Sequence, residues 1–137
     1  MQIKIKDKTS LTSPEKTAEI LQKILKNEDT IDQDKEHFWV VGLNSHNIIK
    51  YLELVSLGIL NENLVHPREV FRLAIMKGIA SIIVAHNHPS GVVEPSGADL
   101  IITERLKKVG EILGIEVIDH IIITKNDFYS FKENGLI

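Results

Sequence analysis

The chain has 137 residues, a formal charge of −3, 43% hydrophobic and 26% charged residues, which predicts one globular domain able to bury a core without covalent staples. It contains no cysteine; that excludes a disulfide framework, a thiol nucleophile and any thiolate-based zinc or iron–sulfur site, so a metal would have to be held by His, Asp or Glu. The acidic balance offers no general basic surface for phosphate neutralisation, no apolar run approaches the roughly 20 residues of a membrane span, and the polar first eight residues do not form a signal peptide, so a cytoplasmic protein is expected.

Ser13, Pro14 and Glu15 read as an N-cap with proline at the first helical position. Ala18, Leu21, Ile24 and Leu25 recur at helical spacing, predicting a helix to about Asn27. Residues 27–36 are polar and acidic, a connector. Residues 37–43, with Phe38, Trp39, Val40 and Val41, and residues 48–57 are extended runs around Asn44, Ser45, His46 and Asn47, a hairpin. His66 and Pro67 open a second helix with Val70, Phe71, Ala74 and Ile75 on one face and Gly78 as the stop. Residues 80–85 are a short buried strand that breaks off at His86, Asn87, His88, Pro89, Ser90 and Gly91. A third helix starts at Ser96, carries Leu100, Ile102, Leu106, Val109, Ile112 and Leu113, and stops at Gly114. Strands follow at 115–124 and 127–131. With no repeat and no linker, a single α/β domain over 1–137 is expected, residues 1–12 forming an N-terminal extension. The basic clusters, Lys4, Lys6 and Lys8 and then Arg105, Lys107 and Lys108, read as solvated faces.

The informative stretch is His86-x-His88, seven residues, Ser96, two residues, Asp99. Side chains two apart at a strand end share a face, so both imidazoles can meet one ion. Pro89 and Gly91 let the chain turn back, and a helix beginning at Ser96 brings Asp99 into its first turn as an oxygen ligand. Two imidazoles and one carboxylate leave a fourth tetrahedral position for water, the arrangement of a catalytic zinc. Ser96 and Asp99 are equally the two ends of a capping box. On spacing alone the two readings stand level.

His86-Asn87-His88-Pro89-Ser90-Gly91 with Pro95, Ser96 and Asp99, supported by His66-Pro67-Arg68-Glu69-Val70-Phe71 and Asp119-His120, resembles the RadC-like proteins of the MPN or JAMM metalloprotease superfamily. The likeness runs from about residue 13 to the end, without the amino-terminal helix-hairpin-helix region of longer RadC proteins. The resemblance implies a cytidine-deaminase-like α/β/α fold, a mixed curved sheet with helices on its faces. It implies one zinc ion per chain on His86, His88 and Asp99, with Ser96 stabilising the oxyanion and Glu36 as the proton-shuttling base. Such chemistry needs a carboxylate near metal-activated water; Glu53, Glu62, Glu69 and Glu94 compete for that role, Glu69 and Glu94 foremost. The expected function is zinc-dependent hydrolysis of a peptide or isopeptide bond, the substrate a protein or peptide such as the tail of a ubiquitin-like or sulfur-carrier protein. Two alternatives are a DNA-associated repair accessory, disfavoured by the charge and the missing region, and an idle MPN scaffold, disfavoured by the intact ligand set. His66 is expected to start its helix, His120 to be a hydrogen-bonded core histidine, Ser90 to form a turn and Trp39 to lie in the core.

Overall fold

Runs of β-branched and aromatic residues become strands, and the segments with helical spacing become helices. The computed structural model describes residues 2–3, 10, 11, 13–58 and 65–137; Lys4, Lys6, Lys8 and Glu62 lie outside the described residues. In chain order the elements are β1 (Gln2–Ile3), α1 (Pro14–Lys26), α2 (Thr30–Gln33), β2 (Glu36–Leu43), β3 (Ile49–Gly58), α3 (Pro67–Met76), β4 (Ser81–Asn87), α4 (Gly97–Leu113), β5 (Glu116–Ile123) and β6 (Phe128–Ser130). Among the described residues they form one mixed sheet in the order β1-β3-β2-β4-β5-β6. The β4–β5 pair is parallel and the other ladders are antiparallel, as expected where a helix, here α4, carries the chain between two parallel strands.

Strand alternation divides the core into two. Phe38, Val40, Ile82 and Val84 pack with Val70, Phe71 and Ala74 of α3 and Ile102 and Leu106 of α4. Trp39, Val41, Ile83, Ala85, Ile121 and Ile123 pack on the other side with Ala18, Leu21 and Leu25 of α1. The result is the α/β/α layering expected of the resemblance. Because both faces of the central strands are covered, β2 and β4 read as nearly unbroken apolar runs.

Two local differences from the sequence expectation have clear causes. The acidic connector contains α2, because Asp29 caps it through an Oδ1 that accepts the Asp32 N–H at 2.9 Å. β4 continues through His86 and Asn87 rather than ending at Ala85, since its parallel pairing with β5 runs to Ile123. Of residues 1–12, Gln2 and Ile3 pair with Glu53 and Leu52, Ser10 bridges Ile48 and Leu11 is buried.

The β2–β3 hairpin turns where expected. Asn47 takes the left-handed conformation at φ 60°, and Asn44 Oδ1 accepts the His46 and Ile48 N–H groups. Two positions before the turn residues, Gly42 faces Tyr51 across the ladder, and a Cβ there would come within 2.0 Å of the Tyr51 ring. Gly42→Ala is therefore expected to displace a buried aromatic ring and destabilise the fold by about 1–3 kcal/mol, read as a lowered midpoint in urea unfolding with an unchanged slope.

Candidate metal centre

The centre lies at the carboxyl end of β4. The His88 N–H still donates to the Ile123 carbonyl of β5 at 2.9 Å, so the extended path persists one residue past the strand and puts both imidazoles on one side. Gly91, at φ 89°, then turns the chain, its N–H donating to the His88 carbonyl. The loop delivers Ser96 as the N-cap of α4, where its Oγ accepts the Asp99 N–H at 3.1 Å and Asp99 Oδ2 accepts the Ser96 N–H at 2.8 Å. The capping box is thus real, and it is also what orients the carboxylate. The Nε2 atoms of His86 and His88 are 2.9 Å apart, and Asp99 oxygens lie 3.2 Å from the first and 3.1 Å from the second. All the ligating atoms lie within 4.8 Å of one another. Donors held tetrahedrally at zinc-like bond lengths are about 3.3 Å apart, close to the spacing of the two Nε2 atoms from each other and of each from its nearer Asp99 oxygen.

Hydrogen bonding dictates what these atoms present. Thr103 Oγ1 donates to the Asp99 main-chain carbonyl at 2.8 Å and therefore accepts from His120 Nδ1 at 2.5 Å. That leaves His120 Nε2, in a neutral ring, to accept from His86 Nδ1 at 2.7 Å. His88 Nδ1 can only donate to the Val92 carbonyl, 2.7 Å away. Both neutral histidines consequently turn bare Nε2 lone pairs toward each other and toward a carboxylate. Three acceptors facing at hydrogen-bond distance need a cation between them, and the residues present fit zinc in both chemistry and spacing.

The electrostatics agree. Burial pushes His86 and, further, His120 below the ordinary imidazole value. The Asp99 hydrogen bond raises His88 against the opposing effect of burial. Burial alone would raise the Asp99 carboxyl, but bonding to the protonated form of His86 or His88, with the Ser96 N–H, holds it well below the usual range. The negative charge of Glu36 acts at both histidines, favouring their charged forms.

The profile of the RadC-like JAB domain matches residues 11–136. The chain belongs to the RadC-like JAB domain family. It is 51% identical over 110 residues to a UPF0758 protein of Desulforamulus reducens, covering 80% of this chain and 48% of the relative. It is 47% identical over 129 residues to a UPF0758 protein of Staphylococcus epidermidis, covering 94% and 55%. The chain thus spans about half the length of the curated relatives it matches. The JAB superfamily includes metallopeptidases; the relatives' names carry no activity.

In this RadC-like domain the structure brings His86, His88 and Asp99 together and sets Ser96 beside them. Glu36, half-buried at the start of β2, lines the same cavity of about 710 Å³ as His88, Ser96 and Asp99. Of the competing carboxylates, Glu94 is exposed on that cavity's wall. Glu69 lies on α3, 3.8 Å from Arg72, and Glu53 is buried 3.3 Å from the same guanidinium. His66 is the N-cap of α3, its Nδ1 accepting the Arg68 N–H. Ser90 Oγ accepts the Val92 N–H within the turn, and Trp39 is buried in the core. His120 is a hydrogen-bonded core histidine, but its bond is to a metal-ligand candidate, which sequence reasoning missed along with Thr103. The available signal was the four-residue step from Asp99 to Thr103 on one helix face.

Two outcomes are expected. Thr103→Val removes the acceptor that orders the His120–His86 chain and should weaken zinc binding by about 10–100-fold, measured by competition with a chromophoric chelator. In the metal-free protein the His88 value lies above the ordinary 6.5, so protons compete with zinc below that raised value. Apparent affinity should fall by about tenfold per pH unit there and flatten above it.

Proposed function

We propose that this domain hydrolyses a peptide or isopeptide bond with a zinc ion held by His86, His88 and Asp99. The observation that carries the reading is the convergence of three acceptor atoms on one point of a cavity that Glu36 also lines. Zinc, when bound, supplies a Lewis acid that polarises a carbonyl and lowers the pKa of water toward 7. Glu36 takes the proton from the attacking water and hands it to the leaving nitrogen. Ser96 Oγ is already an acceptor for the Asp99 N–H, which leaves its O–H to donate to the oxygen that becomes negative. Asp99 accepts the Ser96 N–H, and a carboxylate that faces a cation stays ionised. The cavity, open along the loop from His88 to Glu94, suits an extended chain, and the substrate proposed is the flexible tail of a ubiquitin-like or sulfur-carrier protein.

The test uses the untagged chain. One zinc per chain is expected by elemental analysis, lost on chelation and restored by zinc, with cleavage of tail-fused small β-grasp proteins following the metal. Glu36→Gln should retain zinc and lose about 10²–10⁴-fold in turnover. Failure of the purified protein to take up any divalent metal ends this reading.

A further inference from the structure

We propose that Asn87, the residue between the two histidines, positions Glu36 at the metal centre by holding the main chain on both sides of it; this rests on the hydrolase reading above. Asn87 is 1% exposed and its side chain points to the face opposite His86 and His88. Its Oδ1 accepts the His37 N–H at 2.6 Å, and its Nδ2 donates to the Lys35 carbonyl at 3.0 Å. Those two groups belong to the two peptide units that meet at the Glu36 Cα. One amide therefore fixes both planes whose rotation would swing the Glu36 side chain.

The register explains why a side chain is used. In the β2–β4 ladder Phe38 is opposite His86, and continuing the antiparallel count sets His37 opposite Asn87 and Glu36 opposite His88. The His88 main chain is already committed to β5 through Ile123. The Asn87 amide, with an acceptor and a donor in one plane, replaces the missing rung. Carboxylate lacks the donor, and a hydroxyl is too short to span both peptides. On the other side Glu36 pairs with Gly58 of β3, and the Lys35 carbonyl also accepts from His37 Nδ1 at 2.8 Å. The strand end bearing the base is thus held from both flanks, by main chain on one and by the residue between the metal ligands on the other. The ligand pair and the base are consequently placed by a single tripeptide.

The experiment compares the full chain with Asn87→Ala, Asn87→Asp, Glu36→Gln and the double variant Asn87→Ala/Glu36→Gln. Three quantities are read: the zinc dissociation constant by chelator competition, the zinc-induced shift of the Glu36 carboxyl carbon in 13C NMR (assigned by its absence in Glu36→Gln), and turnover. Asn87→Ala should keep zinc affinity within about threefold, since His86 and His88 have other orienting partners. It should lose more than half of the Glu36 response and lower kcat by about tenfold with KM unchanged. The double variant should be no slower than Glu36→Gln alone. Asn87→Asp keeps the acceptor for His37, sets an oxygen against the Lys35 carbonyl, and should change the Glu36 response in the same direction, which serves if the alanine variant does not fold. An unchanged Glu36 response in the folded variants overturns the proposal. So does zinc affinity lost in step with turnover, or kcat losses that multiply in the double variant. If the wild type cleaves nothing while the Glu36 response behaves as expected, the positioning role stands and the hydrolase reading is the one that fails.

Discussion

The Nε2 atoms of His86 and His88 lie 2.9 Å apart, and each faces its own oxygen of the Asp99 carboxylate, at 3.2 and 3.1 Å. Among the described residues, none supplies a hydrogen for the space between them while both imidazoles are neutral. A polar group buried without a partner costs several times what a made hydrogen bond contributes. An arrangement of mutually repelling lone pairs persists only if something positive settles it, and either a proton on His88 or a metal ion does so. That frustration is what gives the site its affinity for a cation.

Keeping the lone pairs aimed inward requires a second tier of bonds. Asp99 sits at both ends of that tier. Its carboxylate faces the centre, while its main-chain carbonyl accepts from Thr103, whose oxygen takes the His120 proton, whose other nitrogen takes the His86 proton. The chain of bonds starts at the main chain of the residue whose carboxylate faces its far end, so α4, β4 and β5 are tied together through His120. A capping box at the start of α4 adds a further constraint on the same carboxylate. Stability of the helix end and geometry of the centre are therefore not separable at Asp99, and a substitution there removes both at once.

Much of this was legible in the sequence because it depends on local signals. Proline after Ser13 and after His66, glycine after the third helix, and the β-branched and aromatic run of 37–43 mark element ends that the structure reproduces within a few residues. The spacing of His86 and His88 and the step Ser96–Asp99 set them on one strand end and one helix turn, which leaves a metal site and a plain capping box level; the resemblance decides for a shared site. What spacing could not show is pairing between elements distant in sequence. His120 is recognisable as a core residue, yet its contact with His86 depends on the parallel register of β4 and β5, in which residues 34 apart become neighbours. Asn87 carries no signal of its own between the two histidines, and its attachment to residues 50 and 52 positions earlier exists only once β2 lies against β4. The short helix α2 was hidden by the acidic composition of its segment, where the cap at Asp29 outweighed poor helix propensity.

The chain's single tryptophan lies one turn of strand from these events. Trp39 is fully buried and its ring stacks on His37 at 5.1 Å, the residue whose N–H is held by Asn87. The indole is thereby shielded from solvent. Any loosening of the strand end would admit solvent and redden the light it gives off. The protein consequently carries a built-in optical gauge, needing no label, of whether its working edge is assembled.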